Sequence, residues 1–404
     1  MEQLLETSER IVRSVESHFI RSLYNTIDWN NRLIEIKGAR GVGKTTLMLQ
    51  KASELKEKAE SPLYVSLDHA YFYKNNILNL ADYFFKYGGK YLFIDEVHKY
   101  PEKEKGLDWS QEIKNIYDSY PGLHLVYSGS SILQIYQGTG DLSRRKASYH
   151  LPGLSFREYL EFNNLFKYPV IKPEDVFKNH TQVTLQITNS LKVLPHFRDY
   201  LKCGFYPFYN EAKDRFYDRI NNIVNVIIET DIPSVSEINF ETIAKLKKLF
   251  ALLAASTPYT PNMKLLASQL SVTDHRTLLK YLNLLEKAEL IQTLGAEATG
   301  DRILNKPDKI YLNNTNLMHA MMQGPVDRGT ARESFLLNQM SSVFPVSYPK
   351  QADFLADSKY RIEVGGKNKK YKQIANIPDS WIAMDDLETG FGNKIPLWLF
   401  GFMY

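Results

Sequence analysis

The chain has 404 residues, 44% hydrophobic and 24% charged, the proportions of a globular protein long enough for two or three folding units. Fifty basic against 46 acidic residues leave a net charge of +4, too small to establish a nucleic-acid partner without a local basic cluster. Cys203 is the single cysteine, which excludes an intrachain disulfide and a multi-cysteine metal centre. There is no signal-peptide core and no run of about 18 apolar residues, so a soluble, cytoplasmic protein with no membrane segment is expected.

Taken in order, residues 33–36 (LIEI) form a short β-type run, followed by a glycine-rich loop and an amphipathic stretch with Leu47, Leu49 and Leu55. Further apolar runs at 63–67 (LYVSL), 91–94 (YLFI) and 123–127 (LHLVY) alternate with helical lengths. Continuous apolar runs in that rhythm predict a parallel sheet covered on both faces, hence an α/β domain over 1–150. Helical periodicity then takes over, and a helical lid is expected over 151–238. Over 240–313 a short helix (265–270), a turn, a longer helix (275–288) and two strands (290–292, 309–312) outline a winged helix. The final 315–404 segment is expected to hold a helix at 332–341 and several short strands.

Residues 38–45 read Gly38-Ala39-Arg40-Gly41-Val42-Gly43-Lys44-Thr45, satisfying G-x-x-x-x-G-K-[ST] at each constrained position, with Thr46 next. Glycines let successive backbone N–H groups face phosphate oxygens, and the helix that follows adds its positive end. Lys44 is placed to meet the β- and γ-phosphates, and the Thr45 hydroxyl to ligate Mg²⁺. Fifty residues on, the 91–94 run ends in Asp95-Glu96, at the edge where a parallel sheet also delivers the glycine loop. Asp95 is then a metal-holding acid and Glu96 the group that polarises the attacking water. The fourth strand ends in Ser128-Gly129-Ser130-Ser131, where Ser128 reads either as a γ-phosphate sensor or as a plain turn residue.

With RGVGKTT at 40–46, FIDEVH at 93–98, SGSS at 128–131, LSFREYL at 154–160, CGFYPFY at 203–209, TDIPSV at 230–235 and IEVGGKNK at 362–369, the sequence resembles bacterial and archaeal AAA-plus ATPases with a C-terminal restriction-endonuclease-like domain. The resemblance implies ATP and Mg²⁺ as ligands. It also implies an arginine, just before LSFREYL, that acts as a finger on a neighbouring subunit's nucleotide. Spacing puts Arg145 there, with Arg144 as the alternative, and a finger acting in trans implies a homo-oligomer.

The 275–285 helix carries His275, Arg276 and Lys280, which suits either DNA contact or a protein–protein role. The C-terminal segment resembles metal-dependent nucleases, and Glu333, Asp353 and Glu363 are the acids that would hold their metal. The expected E-x-K is interrupted, because Gly365 stands where lysine is expected and Lys367 comes two positions late. A basic run (Lys359, Arg361, Lys367, Lys369, Lys370, Lys372) surrounds it, fitting a phosphate backbone or a solvated loop. The sequence therefore predicts an ATP-hydrolysing, Mg²⁺-dependent oligomer whose nuclease-like domain is inactive. A slow nucleotide-dependent signalling switch and an ATP-regulated DNA nuclease are the alternatives.

Overall fold

In the computed structural model, which describes residues 2–101, 108–134, 140–296, 306–322, 325–349, 351–367 and 377–404, each of the four apolar runs is a strand. The chain divides into two compact units. One is formed by Met1–Leu151 with Thr230–Glu237, the other by Pro152–Glu229 with Ile238–Tyr404.

In the first unit, α1 (Glu2–Arg13) precedes β1 (Leu33–Gly38), α2 (Lys44–Glu57), β2 (Pro62–Ser66), α3 (Tyr71–Lys74), α4 (Ile77–Lys86), β3 (Tyr91–Asp95), α5 (Trp109–Ser119), β4 (His124–Ser130) and β5 (Ala147–His150). All pairings are parallel, in the order β2-β3-β4-β1-β5. Parallel strands need covered crossovers, and the apolar runs supply residues for both faces: on one, Leu33, Val65, Leu92, Ile94, Leu125 and Tyr127 are buried with Ile77, Leu80, Ile113 and Ile116 from the helices, and on the other Ile34, Ile36, Phe93 and Val126 are buried. The fifth strand was not expected. Its four residues alternate between half-buried and exposed, as suits a sheet edge, and so give no continuous apolar signal.

The second unit shares one aromatic-rich core between its early helices and its C-terminal sheet. Phe156, Phe177, Phe197 and Tyr200 are buried with Tyr311, Phe335, Phe354, Trp398 and Phe400. Ser155 caps the helix Phe156–Phe162 through a reciprocal box with Glu158. Its hydroxyl and the Arg157 guanidinium both donate to the Tyr404 carbonyl, at 2.7 and 3.0 Å, so LSFREYL is a structural joint of this unit. Helices Met263–Gln269 and His275–Lys287 lead to an antiparallel pair, β6 (Ile291–Leu294) and β7 (Lys309–Leu312). The helix Arg328–Ser341 follows, then a sheet of β8 (Val346–Ser347), β9 (Phe354–Ala356), β10 (Tyr360–Gly365), β11 (Ser380–Met384) and β12 (Lys394–Pro396), in reverse chain order. The 151–238 span expected as a lid is divided: its last part, Thr230–Glu237, belongs to the first unit. No helix among the described residues is long and apolar enough to cross a membrane.

Candidate nucleotide-binding site

The turn from β1 into α2 is the glycine loop. Gly41 and Gly43 have φ of 86° and 100°, backbone conformations that side chains disfavour, and Gly43 directly precedes the first helical residue, Lys44. At Gly38 a Cβ would stand 2.2 Å from the Leu151 carbonyl oxygen, so only glycine lets the end of β1 pass beside the chain leaving β5. The Lys44 ammonium is buried and donates to the carbonyls of Gly38 (2.9 Å) and Ala39 (3.0 Å). The Arg21 guanidinium reaches in from before the sheet and donates to the Val42 carbonyl at 2.7 Å.

β3 delivers Asp95 beside this loop. Asp95 is 1% exposed, and a carboxylate so buried needs donors on both oxygens. It has them: Oδ2 accepts from the Thr45 hydroxyl (2.6 Å) and the Tyr64 hydroxyl (2.9 Å), while Oδ1 accepts from the Glu96 N–H (2.9 Å) and the Ser128 hydroxyl. Lys44, Thr45, Asp95, Glu96 and Ser128 thus converge from β1–α2, β3 and β4. Burial, then the neighbouring Asp95 charge, pushes the Tyr64 phenol far above its ordinary value, so it remains a donor. Tyr64 sits in an apolar strand, where sequence reading takes it for a core aromatic.

Glu96 has φ of 52° and ψ of 44°, and its side chain is 24% exposed. Its carboxylate lies 3.2 Å from Nε2 of His98, whose side chain has no exposure. The same Nε2 lies 3.6 Å from Asp231. Asp231 comes from the returning segment Thr230–Glu237 and also binds Lys99 at 2.7 Å and Arg40 of the glycine loop at 3.2 Å. Burial opposes its ionisation, but His98, Lys99 and Arg40 outweigh burial and hold its carboxyl well below the usual range. His98 and Asp231 stand inside FIDEVH and TDIPSV, and only folding brings the two segments together.

The arginines before β5 have other partners. Arg145 pairs with Asp118 through Nε and Nη2, each at 3.0 Å, whereas Arg144 is 85% exposed, with Asp141 at 3.5 Å. Lys146 binds the buried Glu35 at 2.7 Å, tying β5 to β1. Burial opposes ionisation of Glu35, but Lys146, Ser148 and Tyr127 prevail and hold its carboxyl below the ordinary value.

In the second unit, β9 and β10 pair antiparallel from Tyr360 opposite Ala356 to Ile362 opposite Phe354, and Asp353 stands just before β9. Asp353 spends Oδ2 on the Val364 N–H at 2.9 Å. Glu333 accepts from the Tyr311 hydroxyl at 2.7 Å, and the Lys309 ammonium stands 3.5 Å from Glu333 and 3.9 Å from Asp353. A cation of the chain itself therefore faces two of the three acids, and no group of three His, Cys, Asp or Glu among the described residues is arranged to hold a metal. Lys369, Lys370 and Lys372 lie outside the described residues.

Residues 30–160 match a family described as "AAA domain", and residues 194–327 match a domain of unknown function. Most of the first span lies in the first unit, which in that stretch is similar to AAA-type P-loop domains. An uncharacterized protein of Methanocaldococcus jannaschii is 28% identical over 374 residues, covering 85% of this chain and 77% of that protein. Among solved structures, the Walker-type ATPase of Pyrococcus abyssi overlaps 72% of this chain and 91% of its own at 13% identity, TM-score 0.40. The Aeropyrum pernix ORC1 protein in complex with DNA overlaps 79% and 91% at 12% identity, TM-score 0.30. The span matched to that family, residues 30–160, takes in all five strands of the parallel sheet together with the glycine loop and Asp95-Glu96.

Proposed function

We propose that the protein binds and hydrolyses ATP at the AAA domain, with Mg²⁺ as the companion ion. The observation that carries this reading is the convergence of Thr45 on Asp95 at 2.6 Å, beside a glycine loop whose lysine is buried and with Glu96 next in the chain. A hydroxyl and a carboxylate are hard oxygen donors, the set that suits Mg²⁺. When bound, that ion neutralises phosphate charge. The residues do the remainder: loop N–H groups and Lys44 bind phosphate oxygens, Ser128 and Tyr64 hold Asp95, and Glu96 polarises water.

Lys44→Ala removes the cation that meets the phosphates, and should abolish turnover and weaken nucleotide binding at least tenfold, on the order of a lost charge-assisted contact. Glu96→Gln keeps the shape but not the basicity, so nucleotide affinity should persist while turnover falls by about 10² or more. Steady-state hydrolysis and equilibrium nucleotide titration of the full chain separate the two. Normal turnover in Lys44→Ala would defeat the assignment.

The exposed Arg144 supports a working homo-oligomer, in which this guanidinium reaches a neighbour's nucleotide. The helix–turn–helix with its two-strand pair is read as a winged helix that would meet DNA through His275, Arg276 and Lys280. Lys309 beside Glu333 and Asp353 favours a nuclease-like segment without cleavage activity. The proposed site of action is the cytoplasm.

A further inference from the structure

His98 is completely buried, yet neither of its ring nitrogens has a well-directed hydrogen-bond partner. A buried polar group without a partner costs free energy, so its position needs a reason. Nε2 faces two carboxylates, Glu96 at 3.2 Å and Asp231 at 3.6 Å. A lone pair there would oppose two anions, so Nε2 is the nitrogen that carries hydrogen. That N–H then lies between two carboxylates, the Glu96 one nearer. Asp231 is itself fixed by Lys99 and by Arg40, and it closes a π-helical turn, Ile227–Asp231, a distortion often found at working sites.

We infer that His98, braced by Asp231, is the positioning residue that holds the Glu96 carboxylate where it polarises water. The inference rests on the ATPase reading above. The Glu96 backbone is already set by its left-handed conformation and by its N–H bond to Asp95, which leaves the side-chain rotamer as the remaining freedom. A side chain with no solvent access cannot swing away, so the imidazole limits that freedom. The Asp231 carboxylate on the same side adds an anion that keeps the Nε2 edge of the ring facing Glu96 rather than flipped. Because Asp231 also grips Arg40 of the glycine loop, the same carboxylate links the loop to the water-polarising acid.

The test compares full-length wild type, His98→Phe, His98→Gln, Glu96→Gln and the double variant His98→Phe/Glu96→Gln. Each is assayed for ATP turnover, nucleotide affinity and melting. His98→Phe preserves bulk but not the N–H, and should lower kcat about 10- to 100-fold, the cost of a misplaced reacting group, with KM and nucleotide Kd nearly unchanged. His98→Gln returns an N–H at similar reach and should recover much of the turnover. If His98 acts through Glu96, the double variant should be no slower than Glu96→Gln alone. Should phenylalanine prevent folding, His98→Leu, which also lacks a donor, replaces it with the same expectation. Unchanged kcat, faster turnover, an additive double variant, or equal loss of kcat, affinity and melting temperature without rescue by glutamine would each overturn the inference. Absent turnover by wild type would defeat the ATPase reading with it, whereas an active wild type and an indifferent His98→Phe would defeat this inference alone.

Discussion

A carboxylate without solvent access persists only among cations and donors, and Asp231 has Lys99, Arg40 and His98 around it. Replacing it with asparagine keeps the shape and leaves two cations unmatched. Breaking a fully buried pair costs about 3–5 kcal/mol, and because Arg40 is 32% and Lys99 19% exposed, about 2–3 kcal/mol is expected here. The sign of the pH dependence follows from the depressed carboxyl. Its contribution is complete above the unfolded-state value of about 4 and is lost as pH falls toward the lower folded-state value. Equilibrium unfolding of wild type and Asp231→Asn should therefore show a constant stability gap above about pH 5 that closes below about pH 4. A gap indifferent to pH would mean that ionisation of Asp231 contributes nothing.

At the scale of elements, the site depends on how closely β1, the glycine loop and β5 pass one another. Gly38→Ala puts a methyl 2.2 Å from a backbone oxygen of Leu151, an atom that can retreat only if the strand end moves. Overpacking of that kind costs about 1–3 kcal/mol, and the shifted loop should also bind nucleotide more weakly. Gly88→Ala is the matched control: its Cβ would meet open space at φ of 84°, so it should show conformational strain without loss of affinity. Equal affinity loss in both variants would discount the close approach. β1 to β4, the edge strand β2 among them, were legible in the sequence because each is a largely buried, mostly apolar run. β5 was not, because its residues alternate between half-buried and exposed and so form no apolar run.

At the scale of the whole molecule, the chain leaves the first unit after Leu151, returns for Thr230–Glu237 and leaves again. A segment of eight residues that returns in this way has no periodicity that would reveal where it packs. Surface chemistry also separates two neighbouring arginines, of which the sequence spacing favours Arg145 as the finger and leaves Arg144 as the alternative. Arg145 is spent on Asp118 within its own unit, whereas Arg144 is 85% exposed. Arg144→Ala should therefore lower turnover by up to about 10³ at unchanged ATP affinity, and mixing it with Lys44→Ala should restore part of the activity, since a mixed pair assembles one complete site. Arg145→Ala should instead act mainly on stability. Full activity in Arg144→Ala, or in a strictly monomeric preparation, would rule out a contribution in trans.

The glycine loop, its lysine and threonine, and the two acids after β3 could be read from the sequence because each is local: phosphate binding demands fixed residue types at fixed spacing on one turn, and a buried strand demands an apolar run. Tertiary structure alone decided the partners of those residues. Tyr64 reaches Asp95 from a neighbouring strand, and Asp231 reaches Arg40 from 191 positions away. Lys309 reaches Glu333 and Asp353 in the same manner, from a different strand pair. Such contacts come from chain crossings that bury charge against charge, and a linear pattern carries no record of which charges will meet.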